Sequence, residues 1–171
     1  RPMGIKGFLA FLKSFDGAVS DLPPETVFDH VYVDMNGLLH RASQKAKTRD
    51  DFVMKLYAAL DRTIKAAQPR KSLFLAVDGP APAAKLDEQR RRRLQRDGGD
   101  GGDGGDGPGK TAVSQLELTP GTTFMVDQLD AMLNYWVLSR LQQRRFSEVR
   151  VIVSGANVVG EGECKIFRHM L

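Results

Sequence analysis

At 171 residues the chain suits one compact domain, with hydrophobic and charged fractions of 42% and 27% that are ordinary globular usage. The formal net charge of +4 leans mildly toward polyanionic partners, and no apolar run approaches the roughly 18 residues of a membrane span. The single cysteine, Cys164, cannot close an internal disulfide, so secretion has no support and an intracellular home, in cytoplasm or nucleus, is expected.

Met3-Gly4 reads as a natural start, with Arg1 and Pro2 extraneous to it. From Lys6 to Phe15, Phe8, Leu9, Leu12 and Phe15 fall on one helical stripe, and no small-residue cleavage site follows to make it a signal peptide. Asp16 to Pro24 reads as a loop. Phe28 to Asp34 is a buried strand with an acid at its tip. A short helix from Gly37 to Ala46 follows, then an amphipathic one from Asp50 to Ala67 that Pro69 stops. Ser72 to Val77 is a second strand, again running into an acid, Asp78. Ala83 to Arg96 is a strongly basic helix, and residues 97–109 form a flexible Gly/Asp insertion. Thr119-Pro120-Gly121 is expected to open a long helix, Thr119 as N-cap and Pro120 in its first turn. Tyr135 and Trp136 on that helix are expected in the core. Val149 to Val153 is a third strand, Gly155 to Gly162 a loop, and a helix runs on from Glu163.

Strands that alternate with helices make an α/β domain whose mainly parallel sheet has helices on both faces. Ligands collect at the carboxyl ends of such strands. Asp34, Asp78 and the pair Glu161 and Glu163 all fall there. Clustered carboxylates repel one another and call for a cation. Oxygen donors without His or Cys partners favour Mg²⁺, or Mn²⁺, over Zn²⁺. Each acid alone is better explained by a local role: an Asx turn or helix N-cap for the aspartates, and a place in the first turn of a helix for the glutamates. Three strands each ending in acid carry the metal reading.

The motifs then become specific. Val33-Asp34-Met35-Asn36-Gly37-Leu38-Leu39-His40, Ala76-Val77-Asp78-Gly79-Pro80-Ala81-Pro82-Ala83-Ala84-Lys85, Thr119-Pro120-Gly121-Thr122-Thr123-Phe124-Met125, and Gly160-Glu161-Gly162-Glu163-Cys164-Lys165-Ile166 follow in order. Together they resemble the N-terminal part of the catalytic domain of XRN-type 5′→3′ exoribonucleases, over nearly the whole chain. The resemblance implies an incomplete PIN/flap-nuclease-like fold and a two-metal hydrolysis of single-stranded RNA bearing a 5′-monophosphate. It implies that Asp34, Asp78, Glu161 and Glu163 hold or orient Mg²⁺, and that Asn36 and His40 sit near the scissile end. His40 reads equally as a residue that stacks on the terminal base and as one that packs locally.

On the basic helix, Lys85, Gln89, Arg92 and Arg93 stand at i, i+4, i+7 and i+8, one face with three cations and an amide. A terminal phosphate needs such concentrated charge and forked donors. The resemblance makes these four the pocket for the 5′-phosphate. A solvated basic face is the alternative reading.

The family's further aspartates, on a later strand, have no counterpart here. The chain is therefore expected to continue into, or associate with, a larger nuclease or ribonucleoprotein assembly. Cys164 stands where the family often has His and is expected to be packed. Two other functions stay open: a catalytically inactive XRN-like RNA-binding component of a ribonucleoprotein, and a flap-endonuclease-like DNA nuclease.

Overall fold

The structure, a computed structural model, describes residues 8–16, 26–80 and 112–171. A short helix α1 (Phe8–Lys13) is followed by the exposed Phe15, whose ring meets that of Phe11 edge to face. Strand β1 (Phe28–Asp34) leads directly into α2 (Asn36–Lys45) and then α3 (Arg49–Ala67). The start of α3 is fixed by Thr48, whose side chain accepts the Asp51 amide at 3.1 Å. Its end is a left-handed Gln68, whose amide still reaches the Ile64 carbonyl at 2.8 Å, before Pro69 excludes another turn. Phe52, Leu56, Leu60 and Ile64, spaced four apart, form its buried stripe.

Strand β2 (Pro69–Ala76) lies between β1 and β3 (Arg150–Ser154), parallel to both. Alternate residues divide the sheet's faces. Val31, Val33, Leu73, Leu75, Val77, Val151 and Val153 join the core that α2, α3 and the helix before β3 complete. On the other face the Tyr32 and Phe74 rings pack against His169 of the last helix, α5 (Gly162–Met170), at 5.7 and 4.5 Å. Helices therefore lie on both faces, and β1 is only half buried, its first three residues exposed. Among the described residues no helix is long and apolar enough to cross a membrane.

The long helix does not begin where the sequence places it. Thr119 to Thr122 is a type II turn: the Thr122 amide reaches the Thr119 carbonyl at 3.3 Å, Pro120 takes the first corner and Gly121 the second, at φ +87°. A residue at positive φ cannot continue a helix, so Thr119 caps nothing and bonds the Leu116 carbonyl instead. The capping oxygen is that of Thr122, which accepts the Met125 amide at 3.3 Å. The helix opens with a wide π turn (Phe124–Leu129) and becomes regular as α4 (Asp130–Leu141). Trp136 on α4 is buried as expected, but Tyr135, the next position round, is 69% exposed and no core residue.

Candidate active site

Parallel pairing sets Asp34, Ala76 and Ser154 level with one another, so all three strands end on the same rim. The ladder runs one step further. The Met35 amide bonds the Ala76 carbonyl and the Val77 amide bonds the Ser154 carbonyl, both at 2.9 Å. Asp78 follows at once. Beyond it the Gly79 amide meets the Gly160 carbonyl at 2.9 Å, and the Gly160 amide meets the Pro80 carbonyl at 3.1 Å. The loop after β2 is thus stitched to the loop after β3.

Gly162, first residue of α5, is where the acidic segments meet. Its amide donates to Asp78 Oδ1 at 2.6 Å, and a side-chain carbon added to it would lie 2.8 Å from Asp34 Oδ1. Glu161 and Glu163 flank it in sequence. Burial pushes the Asp78 carboxyl above its usual range. The Gly162 amide opposes this, and the charges of Asp34, Glu163 and Glu161 push it further up. Asp34 ends one strand and Asp78 follows another, yet both reach the start of α5, between the two glutamates.

Local roles coexist with this clustering. Asp34 Oδ1 accepts the Asn36 amide at 3.1 Å, at the start of α2, where a helix favours negative charge. Asn36 Oδ1 in turn faces the Asp78 amide at 3.5 Å, tying the first acidic turn to the second. His40 is half-buried and its Nδ1 lies 2.6 Å from Gln115 Oε1. Gln115 also donates to Ser43, which bonds the Val113 carbonyl. That chain packs residues 113–118 on α2, and His40 is its first link.

Among the described residues, no group of three or more His, Cys, Asp or Glu is already assembled to hold a metal ion. The donor chemistry nevertheless fits a hard divalent cation: carboxylate oxygens from three segments, one of them half-buried and loaded by three like charges. Lys85, Gln89, Arg92 and Arg93, the expected phosphate pocket, lie outside the described residues, as does the Gly/Asp insertion. Cys164 is exposed rather than packed. Helix α5 turns Gly162, Lys165 and His169 toward the sheet, and position 164 falls on the opposite side.

Two residues at this rim went unassigned in the sequence. Asp130 accepts the Ala156 amide at 3.3 Å from the start of α4; burial raises its carboxyl, while that amide and the charge of Lys165 lower it. Lys165 is buried, and its ammonium donates to the Val77 and Gly155 carbonyls. Burial pulls its pKa down, and Asp78 and Asp130 pull it back up. The signal for Lys165 is a charged residue at i+4 from Glu161 within the last acidic motif. Asp130 had none, because an acid in a helical first turn is commonplace.

The chain is 35% identical to the 5′-3′ exoribonuclease 2 of Debaryomyces hansenii, over 86% of its own length and 17% of that protein's. It is 34% identical to the 5′-3′ exoribonuclease 2 of Saccharomyces cerevisiae, over 86% of the chain and 17% of the relative. For the 5′-3′ exoribonuclease 2 homolog of Drosophila melanogaster the identity is 32%, over 84% and 18%. It thus spans less than a fifth of the curated relatives it matches. A family model described as XRN 5′-3′ exonuclease N-terminus matches residues 3–171, and the chain belongs to that family.

Proposed function

We propose that the full-length protein is a divalent-metal-dependent 5′→3′ exoribonuclease that hydrolyses 5′-monophosphorylated single-stranded RNA to nucleoside 5′-monophosphates. The observation that carries this reading is the approach of Asp34 and Asp78 to Gly162, between Glu161 and Glu163. Family membership supports the reaction class.

In this reading Asp34, Asp78, Glu161 and Glu163 hold Mg²⁺, with Mn²⁺ an acceptable substitute. A pair of bound cations supplies an activated water and neutralises charge on the phosphoryl and leaving oxygens. Asp78 is held at Oδ1 by the Gly162 amide. Asn36 keeps the first two acidic turns in register. The terminal phosphate is gripped by Lys85, Gln89, Arg92 and Arg93, and His40 lies beside the RNA end. Further carboxylates come from polypeptide outside this chain, within a larger nuclease or ribonucleoprotein assembly. A lone exposed thiol at Cys164 suits a reducing cytoplasm or nucleus.

The test is RNA decay by the full-length protein, with and without Mg²⁺, on RNA ending in 5′-monophosphate, 5′-hydroxyl or 5′-triphosphate. Metal-dependent release of mononucleotides from the monophosphate form alone is expected. Binding of RNA without metal dependence or decay would favour the non-catalytic RNA-binding reading. Cleavage of branched DNA without regard to its terminus would favour the flap-endonuclease reading.

A further inference from the structure

A lysine is an odd choice for a helix-to-sheet contact. Burying an ammonium is costly, and Met or Leu would fill the same space. Lys165 is nonetheless only 5% exposed, and its Nζ donates to the Val77 carbonyl at 2.6 Å and the Gly155 carbonyl at 2.8 Å. Both acceptors sit past the ends of their strands, where sheet pairing is running out. An ammonium has three donors and no acceptor, so it can hold two carbonyls at once, which no apolar side chain can do.

The places it joins are significant. Val77 precedes Asp78, and Gly155 is the first residue after β3. Lys165 itself lies one turn along α5 from Glu161, whose carbonyl accepts the Lys165 amide at 3.0 Å. One side chain therefore ties α5, which carries Glu163, to the residue before Asp78 and to the loop after β3 through their backbones. Asp130 grips the same β3 loop with the opposite polarity, accepting the Ala156 amide at 3.3 Å.

We propose that Lys165 is a positioning residue, a strut that fixes the turn of Asp78 and the first turn of α5 against each other so that their carboxylates can share a cation. It does not itself touch metal or RNA. The metal part of this inference rests on the nuclease reading.

Two expectations oppose one another, which makes the experiment decisive. If Lys165 were only a nearby positive charge, its removal would tighten divalent-cation binding. If it is a strut, its removal weakens that binding. The full-length protein and its Lys165→Met variant are titrated with Mn²⁺ by calorimetry well below either unfolding temperature. Loss of affinity of about 10-fold or more is expected, the range seen when supports of metal ligands are removed. In steady-state decay, kcat falls while KM for 5′-monophosphorylated RNA holds. Mn²⁺ affinity equal to or tighter than the wild type overturns the proposal, even if thermal stability drops. Should Lys165→Met fail to fold, Lys165→Arg, which keeps charge and donors in a larger head, is titrated instead. A smaller weakening is then expected, and an unchanged affinity overturns the proposal. Wild-type protein that neither binds Mn²⁺ nor degrades RNA removes the nuclease reading and this inference with it. Wild-type binding matched by the variant removes the strut alone.

Discussion

The Gly162 amide donates to Asp78 Oδ1 at 2.6 Å, so the acid after β2 is held by the helix that Glu161 precedes and that carries Glu163. Burial and three neighbouring carboxylates all disfavour the charged form of Asp78. Asp78→Asn keeps an oxygen for the amide and removes the charge. In metal-free buffer this variant is expected to gain about 0.5–2 kcal/mol of stability, the usual range for a single stabilising substitution. Wild-type protein should gain from Mg²⁺ by mass action, about 2.7 kcal/mol at a hundred times Kd. The variant should gain almost nothing. Urea unfolding with and without Mg²⁺ reads both effects, and equal Mg²⁺ gains in the two proteins would argue against Asp78 as a ligand.

Gly162→Ala probes the same junction sterically. The new methyl would sit 2.8 Å from Asp34 Oδ1 and 3.4 Å from the Ala76 carbonyl oxygen. The carboxylate of Asp34 can swing away, so folding should survive with a loss of about 1–2 kcal/mol. Its placement relative to Asp78 should not survive. Decay of 5′-monophosphorylated RNA is expected to fall at least ~10-fold, since small misplacements of reacting groups are costly. RNA affinity without metal should hold, and a variant with wild-type kcat would show that the tight approach is unimportant.

Arg92→Ala and Arg93→Ala together test the terminal-phosphate pocket. Each arginine offers a planar fork to phosphate oxygens, a contact that an RNA ending in hydroxyl cannot make. The double variant should lose most of the preference for monophosphate over hydroxyl ends, with decay of hydroxyl-ended RNA nearly unchanged. Competition between the two RNAs in one tube measures the ratio directly. A preserved ratio would move the pocket elsewhere.

The acidic rim was legible because strand periodicity is local: Phe28 to Asp34 and the run to Val77 each announce a strand and an acid at its end. Parallel pairing then brings those ends together without further information. The start of the long helix is not encoded locally, because Pro120 suits a first helical turn and the first corner of a type II turn equally well. Only the φ of Gly121 separates them, and φ is not written in residue type. Cys164 and Tyr135 are exposed rather than in the core for a related reason. Both are apolar enough for a core, but the rotation of α5 and α4 about their axes is set by long-range packing. Lys165 was invisible as a strut because its acceptors are backbone carbonyls 88 and 10 residues away.

Away from the rim, α3 and α4 are clasped by Asp61. It accepts Trp136 Nε1 at 3.2 Å and both Nε and Nη2 of Arg140, at 2.7 and 2.5 Å. Trp136 is 1% exposed, so its indole N–H has no ready substitute for this acceptor. Asp61→Ala should therefore cost about 1–3 kcal/mol, the penalty for stranding a buried donor. The Asp61–Arg140 pair is partly open to solvent and adds little to that figure. Asp61→Asn keeps an acceptor and should recover much of the loss. Equal destabilisation by Ala and Asn would shift the weight from the indole bond to the ion pair.

Glu117 gives the acid limb of stability a specific source. Burial pushes its carboxyl up, but the Ser114 amide and hydroxyl and the Arg49 guanidinium outweigh burial and hold it below the usual 4.5. A carboxyl held low when folded releases its proton more readily than in the unfolded chain. Its stabilising contribution is therefore complete above the unfolded value and disappears as pH falls through the lower folded one. Wild-type stability should decline below about pH 4.5, a window shared with other ordinary carboxylates. Glu117→Gln cannot titrate, so it should be less stable near neutrality and lose stability less steeply on acidification. Urea unfolding from pH 7 to pH 3 compares the two slopes, and identical slopes would mean that the Ser114 and Arg49 contacts confer no preference for the ionised form.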